Sequence, residues 1–367
     1  MKVVLAFDSF KETMDSLEVA NITKEELLKK YPDIDIKIIS VADGGEGSLK
    51  SIAYSNDSFE EEYNVTGPHF ERINASVLNV KGDYYIESAS VVGFKFKKNN
   101  DSPKNISTYG IGELIRNVLD KEPKSINICL GGTISNDGGC GMLCALGVKF
   151  YDKNNNTFIP LGKNLKDIDR IDISELDDRI FKTKVYALSD VTNPLYGANG
   201  ASYVFARQKG ATEEEIELLD KGLMHFNSKV IDAFNVDESK TPGSGAAGGI
   251  GFATYAFLKA KQKSGINAIL EACNFNAYLD NADYVFTGEG KLDGQSFQGK
   301  AIMGIIDKAL IKGIKVIGIF GTIEAENVVL PKNVVGIYKT NYLNLPFFEV
   351  KKRCKEDLRF TIQNINL

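Results

Sequence analysis

The sequence predicts an α/β protein in which a parallel-sheet domain is interrupted by an inserted second domain of mixed α/β type. Three observations predict it. Residues 2–52 read strand–helix–strand–helix, and each strand runs into a polar segment. Near residue 60 the helices drop out and alternating strands take over. Near residue 283 the strand–helix alternation returns. A length of 367 residues suits two or three domains at about 100–200 residues each. The predicted boundaries are 1–60 with 280–367 for the discontinuous domain and 61–279 for the insertion.

Residues 2–7 are a short apolar run that ends at Asp8-Ser9-Phe10-Lys11. A helix follows, because Asp15 and Glu18 have capping-box spacing, Leu17, Ala20, Leu27, Leu28 and Tyr31 share a face, and Pro32 stops the segment. Residues 36–42 make the next strand, ending at Asp43-Gly44-Gly45-Glu46-Gly47-Ser48, with a helix after it. Residues 59–66, 71–80 and 83–88 alternate apolar and polar, with a turn at Lys81-Gly82-Asp83, and read as an antiparallel meander. A helix at 109–120 carries Ile111, Leu114, Ile115, Val118 and Leu119 at helical spacing. Strands are predicted at 125–130 and 183–188, and helices at 212–228, around 246–260 and around 264–274. Strand 283–287, a helix at 299–311, strands 314–320 and 334–338 and a helix at 347–364 complete the chain.

Hydrophobic residues at 43% and charged residues at 25% are ordinary for a globular protein, so folding needs no disulfide or structural metal. The 44 Lys+Arg against 49 Asp+Glu argue against nucleic acid, whose binders carry a basic face. No stretch approaches 18 apolar residues, so no membrane partner is expected. The first apolar run is too short for a signal peptide. The five cysteines are odd in number and lack a CxxC pair; Cys140 and Cys144 read as buried packing on one helix face. These features predict a reducing cytoplasm. Oligomeric state has no sequence signal.

In an open parallel sheet, ligands bind outside the carboxyl ends of the strands. The outer domain places Asp8, Ser9, Lys11, Asp43, Glu46, Glu289, Lys291 and Asp293 there. Several acids with two lysines suit a magnesium ion and an anionic ligand. In the insertion, the segment from Gly131 to Gly139 follows a strand and precedes an apolar helix. Gly131, Gly132 and Thr133 let backbone N–H groups approach an anion. Asn136 and Asp137 are either ligand contacts or the helix N-cap. Asp190 and Asn193 sit in another strand-end segment, where Asp190 suits a proton acceptor or a metal-holding acid. Gly243, Ser244 and Gly245 open the richest glycine stretch, which either wraps phosphates or permits close helix packing. Arg207-Gln208-Lys209-Gly210 supplies cations ahead of a helix near Thr212. His69 and His225 are the only histidines, and neither sits where catalysis is expected, so a serine-hydrolase triad is disfavoured. No Walker A motif occurs.

Taken in order, these segments resemble the bacterial glycerate kinase family. The landmarks are Asp8-Ser9-Phe10-Lys11-Glu12, Val41 to Gly47, Tyr109 to Ile115, Gly131 to Gly141, Asp190 to Leu195, Gln208 to Ala211, Gly245 to Gly249 and Thr287 to Asp293. Eight ordered motifs are far more specific than any one. Phe7 stands where the family often has proline, Ile111 where threonine is common, Ile134 and Cys140 where alanines are common, and Lys291 where arginine is frequent. A lysine there makes a point-charge contact in place of a bidentate one. The resemblance implies a flavodoxin-like domain interrupted by a second α/β domain, and phosphorylation of D-glycerate by ATP with Mg2+. It favours the 2-hydroxyl, with the 3-hydroxyl as the alternative. A kinase of another small hydroxy acid or sugar acid, or a non-catalytic binding protein, are the other readings.

With this reaction and the strand-end placement above, Asp190 is the first choice for the base or metal-orienting acid and Asp293 the second. Asp43 and Glu46 are the magnesium ligands. Lys11 neutralises the transferring group or binds the glycerate carboxylate. Asp8, Ser9, Glu289, Lys291, Asn193 and the two glycine loops are the substrate or nucleotide contacts.

Overall fold

The apolar run at the start of the chain forms strand β1 (Lys2–Phe7), and Val3, Val4, Leu5, Ala6 and Phe7 are all fully buried. A strand buried on both faces belongs inside a parallel sheet covered by helices. That is its setting in the computed structural model, which describes residues 1–10, 12–42, 44–292, 301–324 and 330–367. Lys11, Asp43 and Asp293 lie outside the described residues. The chain divides into two units, one of Met1–Asp43, Lys50–Asn56 and Ile266–Leu367, the other of Gly44–Leu49 and Asp57–Gly265.

After β1 the strands run β2 (Asp35–Ser40), β3 (Phe59–Thr66), β4 (Arg72–Val80), β5 (Asp83–Glu87), β6 (Ser125–Cys129), β7 (Lys149–Tyr151), β8 (Thr157–Phe158), β9 (Arg170–Asp172), β10 (Lys184–Leu188), β11 (Lys261–Lys263), β12 (Tyr284–Gly288), β13 (Lys291–Leu292), β14 (Lys315–Phe320), β15 (Thr322–Ile323) and β16 (Val334–Lys339).

The first unit holds a five-stranded sheet in the order β16-β14-β12-β1-β2, every pair parallel. Numbered within the unit, that order is 2-1-3-4-5, the flavodoxin-like arrangement. The chain reverses its direction of growth between β1 and β12, so the carboxyl ends of these two strands form the switch point. The helix Ser16–Lys30 starts where Asp15 accepts a 2.8 Å hydrogen bond from the Glu18 backbone N–H. It buries Val19, Ala20, Ile22 and Leu27, and the helix Phe347–Gln363 packs beside it. Between the two helices lies the carboxylate of Glu26. It receives hydrogen bonds from Lys29 at 2.7 Å, Arg359 at 2.7 Å and Gln363 at 2.9 Å. Burial pushes the Glu26 pKa up, but these donors outweigh it and hold it down to about 2.

The second unit holds a six-stranded sheet in the order β11-β10-β6-β5-β4-β3. β5, β6, β10 and β11 are parallel, and β3, β4 and β5 form the antiparallel meander. Val80 pairs with Asp83, so Lys81 and Gly82 make a two-residue hairpin loop, both with positive φ. The core centres on Phe226, edge-on to Phe150 and Phe252 and stacked with Phe257. Two features depart from expectation. A small antiparallel sheet, β8-β7-β9, is built from strands of two or three residues, too short to leave a periodic signal. The helix expected around 246–260 begins only at Ile250, because Ala247, Gly248 and Gly249 are all left-handed and break the turn before it.

Candidate active site

In the second unit the carboxyl ends of β5, β6, β10 and β11 stand side by side, and each continues into a polar residue or turn. Backbone bonds extend the ladder past the strand ends, from Leu130 N to Leu188 O at 2.9 Å and from Ser189 N to Lys263 O at 3.1 Å. Ser88, just beyond β5, donates its hydroxyl to the Cys129 carbonyl at 2.8 Å. This edge is therefore rigid before any ligand arrives.

Glu87, the last residue of β5, reaches back to the turn that carries Glu46. Its two carboxylate oxygens accept from Gly47 N at 3.0 Å and Leu49 N at 3.3 Å. Burial pushes the Glu87 pKa up, the two backbone donors oppose that, and the charge of Glu46 adds to it. The held turn leaves the Glu46 side chain exposed over the start of the β6 loop. A Cβ on Gly132 would lie 3.2 Å from the Glu46 Cβ and 3.5 Å from its Oε2, and one on Gly131 would lie 2.8 Å from the Gly45 Cα. Glycine at both positions lets the two loops meet.

Asp190 follows β10 and is half-buried; its Oδ1 accepts from the Ser264 hydroxyl at 2.7 Å. The Asn193 carbonyl accepts from Gly245 N at 2.9 Å, which ties the Asp190 segment to the glycine-rich loop after Gly243. The Asn193 side chain donates to Asn199 O at 2.8 Å. Ser244 is buried and donates its hydroxyl to Glu238 O.

The loop from Gly131 to Gly139 is knotted from inside by Asp137, which is fully buried. Oδ2 accepts from the backbone and hydroxyl of Thr108 at 3.0 and 2.7 Å and from Gly141 N at 3.2 Å, while Oδ1 accepts from Gly139 N at 3.0 Å. Burial pushes its pKa up and the four donors oppose this. Asp137 thereby satisfies one N–H of the first turn of the helix Cys140–Ala145, whose N-cap position is Gly139. Asn136 is also buried and donates to the Ser202 hydroxyl at 3.1 Å. Among the described residues, the Thr133 and Ser135 hydroxyls and the Asn136 Oδ1 are buried without a hydrogen-bond partner. Beneath them Lys209 is buried, with its Nζ donating to the Ser135 carbonyl at 2.7 Å. Burial pulls the Lys209 pKa down to about 7, against the attraction of Asp137.

In the first unit, Asp8, Ser9, Glu289 and Lys291 follow the carboxyl ends of β1 and β12, while Glu46, expected with them, falls in the second unit. Phe7 pairs with Gly288, so Asp8 and Glu289 follow adjacent parallel strands. Asp8 N donates to Gly288 O at 3.0 Å, and the Asp8 carboxylate accepts from Ser9 N at 2.6 Å. Lys291 forms an exposed ion pair with Glu324 at 2.6 Å.

Among the described residues no group of three or more His, Cys, Asp or Glu is arranged to hold a metal ion. A nucleotide-bound magnesium needs less, one or two carboxylates with phosphate and water oxygens completing the shell. Exposed Glu46 and half-buried Asp190 offer that donor type. None of the five cysteines forms a disulfide, and burial pushes the thiols of Cys140 and Cys144 up, so both act as packing groups. No helix of the described residues is long and apolar enough to cross a membrane.

Four contributors to this edge escape the sequence. Ser264 and Thr108 carry no motif. Glu87 reads only as a strand end, and Lys209 only as a cation ahead of a helix within the Gln208 to Ala211 landmark, with no role assigned.

Comparison with known proteins bears on the whole chain. The profile of the glycerate kinase family matches residues 3–367. A glycerate kinase of Bacillus cereus (strain ATCC 10987 / NRS 248) is 37% identical, over 100% of this chain and 97% of the relative. A glycerate 2-kinase of Escherichia coli (strain K12) is 39% identical, over 88% of this chain and 86% of the relative. A crystal structure from Salmonella typhimurium LT2, assigned as a glycerate kinase 2, superposes with a TM-score of 0.83 at 36% identity, covering 99% of this chain and 96% of that one.

Proposed function

The chain belongs to the glycerate kinase family, and on that premise we propose that it transfers the γ-phosphoryl group of ATP, as the magnesium complex, to the 2-hydroxyl of D-glycerate. The observation that carries the site assignment is the carboxylate of Asp190, held by Ser264 at the carboxyl edge of the sheet beside two glycine-rich loops.

Phosphoryl transfer asks the protein for positioning and charge stabilisation more than for covalent chemistry. Asp190 accepts the proton of the attacking hydroxyl, and the Ser264 hydrogen bond fixes which oxygen is turned toward it. The Glu87 carboxylate holds the turn that presents Glu46, and Glu46 is the residue of this edge that would hold the metal. Bound magnesium supplies neutralisation of phosphate charge. Backbone N–H groups of the loops starting at Gly131 and Gly243 line the phosphates. Asp8, Ser9, Glu289 and Lys291, at the switch point of the first unit, are proposed contacts to substrate or nucleotide. Lys11, Asp43 and Asp293 keep the roles their strand-end positions in the sequence suggest. Five cysteines without a disulfide suit a reducing compartment, and we place the reaction in the cytoplasm.

The test is ADP release by purified protein. It should require D-glycerate, ATP and Mg2+ together and stop when EDTA removes the metal. Turnover of a different small hydroxy acid, with none of D-glycerate, would move the activity to another acceptor.

A further inference from the structure

We propose that Lys209 is a positioning residue of the phosphoryl-transfer site: from inside the protein it holds the Gly131–Gly139 loop through the Ser135 carbonyl and supplies the positive charge behind that loop. The proposal rests on the reading of that loop as the phosphate-side wall of the site.

Burying an ammonium group without a carboxylate partner is costly. Among the described residues Lys209 forms no ion pair, and its side chain makes one hydrogen bond, to Ser135 O at 2.7 Å. The nearby acid, Asp137, is occupied by Thr108, Gly139 and Gly141. The same Ser135 carbonyl is confined on another side by Gly248, where a Cβ would come within 2.1 Å of it. The Thr133 and Ser135 hydroxyls do not anchor the loop, being buried without partners. Between Thr133 and Asn136 the backbone is held at Ile134, whose N–H donates to Val92 O at 2.8 Å, and at Ser135 by the ammonium of Lys209 and contact with Gly248, while the Asn136 side chain bonds Ser202. A methionine would fill the same space without the desolvation cost. A lysine kept there in spite of that cost points to a use for the charge.

The turn that carries Lys209 is itself fixed. Lys209 N and Ala211 N both donate to Ala206 O at 3.1 Å, and Gly210 has φ +106 with its α-carbon against Asp101 O. The charged groups on the surrounding elements are Asp137 in the loop itself, Arg207 paired with Glu213, Lys97 donating to Gln208 O at 3.2 Å, and Asp101. The 243–249 loop contributes no titratable side chain. Asp137 is the charge that acts on Lys209, and it favours the protonated form. With a pKa near 7 in the free protein, the ammonium is lost as pH rises above neutrality, and the attraction for an anionic ligand falls with it.

The experiment compares the full-length protein with Lys209→Met and Lys209→Arg. It measures the melting temperature, kcat and KM for Mg-ATP between pH 6 and 9, and binding of the magnesium complex of adenylyl imidodiphosphate by calorimetry. Expected for Lys209→Met is a melting temperature at or above that of the wild type, with kcat/KM for Mg-ATP lower by about 10–100-fold. The alkaline fall in affinity should be present in the wild type and absent from Lys209→Met. Partial recovery in Lys209→Arg would support the charge. Wild-type affinity and an unchanged pH dependence in Lys209→Met would overturn the proposal. If Lys209→Met does not fold, a wild-type affinity that is flat from pH 6 to 9 overturns it equally. The calorimetry needs no turnover, so it separates failure of Lys209 from failure of the glycerate kinase reading.

Discussion

The Ser264 hydroxyl and the Asp190 carboxylate meet at 2.7 Å although 74 residues separate them in the chain. Ser264 follows β11 directly and Asp190 lies two residues past β10, its parallel neighbour. The sheet register therefore delivers both to the same edge, and the acid is oriented before substrate binds.

If Asp190 is the proton acceptor, Asp190→Asn lowers kcat by about 10²–10⁴-fold while the melting curve stays close to wild type. Ser264→Ala removes the orienting bond and leaves the carboxylate, and a loss of about tenfold is expected, mostly in kcat. Steady-state kinetics with D-glycerate and Mg-ATP check both. A drop smaller than tenfold for Asp190→Asn would rule out the base role.

Gly248 has φ +70, and a Cβ there would stand 2.1 Å from the Ser135 carbonyl oxygen. Gly248→Ala must displace backbone that Lys209 already holds, so a destabilisation of about 2–4 kcal/mol is expected in urea unfolding. Ala247, next to it, tolerates φ +52 with its methyl in place, so Ala247→Gly should change stability by less than about 1 kcal/mol.

Glu87 accepts from two backbone N–H groups at once. Glu87→Gln offers one acceptor and one donor group, so either Gly47 or Leu49 faces an N–H it cannot bond. The expected cost is about 1–3 kcal/mol, together with a higher KM for Mg-ATP as the Glu46 turn loosens. An unchanged KM would mean that the turn is held by other contacts.

Glu26 joins the first and last helices, and its pKa of about 2 lies below the ordinary 4.5. The folded state binds its proton less readily than the unfolded chain. Its stabilisation is therefore complete above pH 4.5 and lost as pH falls toward 2. Glu26→Gln should be less stable than wild type by about 2–3 kcal/mol at pH 7, with the gap closing near pH 2. Chemical denaturation at pH 7, 4.5 and 3 measures it; a gap of equal size at every pH would contradict it.

The sequence reveals what is local. β1, β12 and β14 announce themselves as apolar runs because they are buried on both faces, and the helix Glu213–Phe234 starts where Thr212 and Glu215 exchange bonds as a capping box. The meander shows in its alternation and in the Lys81-Gly82 turn. The order in which parallel strands pair leaves no periodicity, so in the sequence the flavodoxin-like arrangement rests on the family resemblance alone, and the assembled sheet shows it as 2-1-3-4-5. The same holds for the site. Asp190 and the glycine loops stand out by composition. The partners that set their geometry are distant in sequence, such as Ser264 for Asp190, Lys209 for Ser135 and Glu87 for Gly47. Asp137 shows a further limit, since an acid that braces a loop from inside and a ligand contact use the same residue type at the same place.

Phosphorus NMR of the product made from D-glycerate and Mg-ATP bears on the proposed reaction with the fewest intervening assumptions. The expected result is a 2-phosphoglycerate resonance that appears as ATP converts to ADP and is lost in Asp190→Asn. A 3-phosphoglycerate resonance, or no phosphorylated glycerate while the nucleotide still binds, would contradict it.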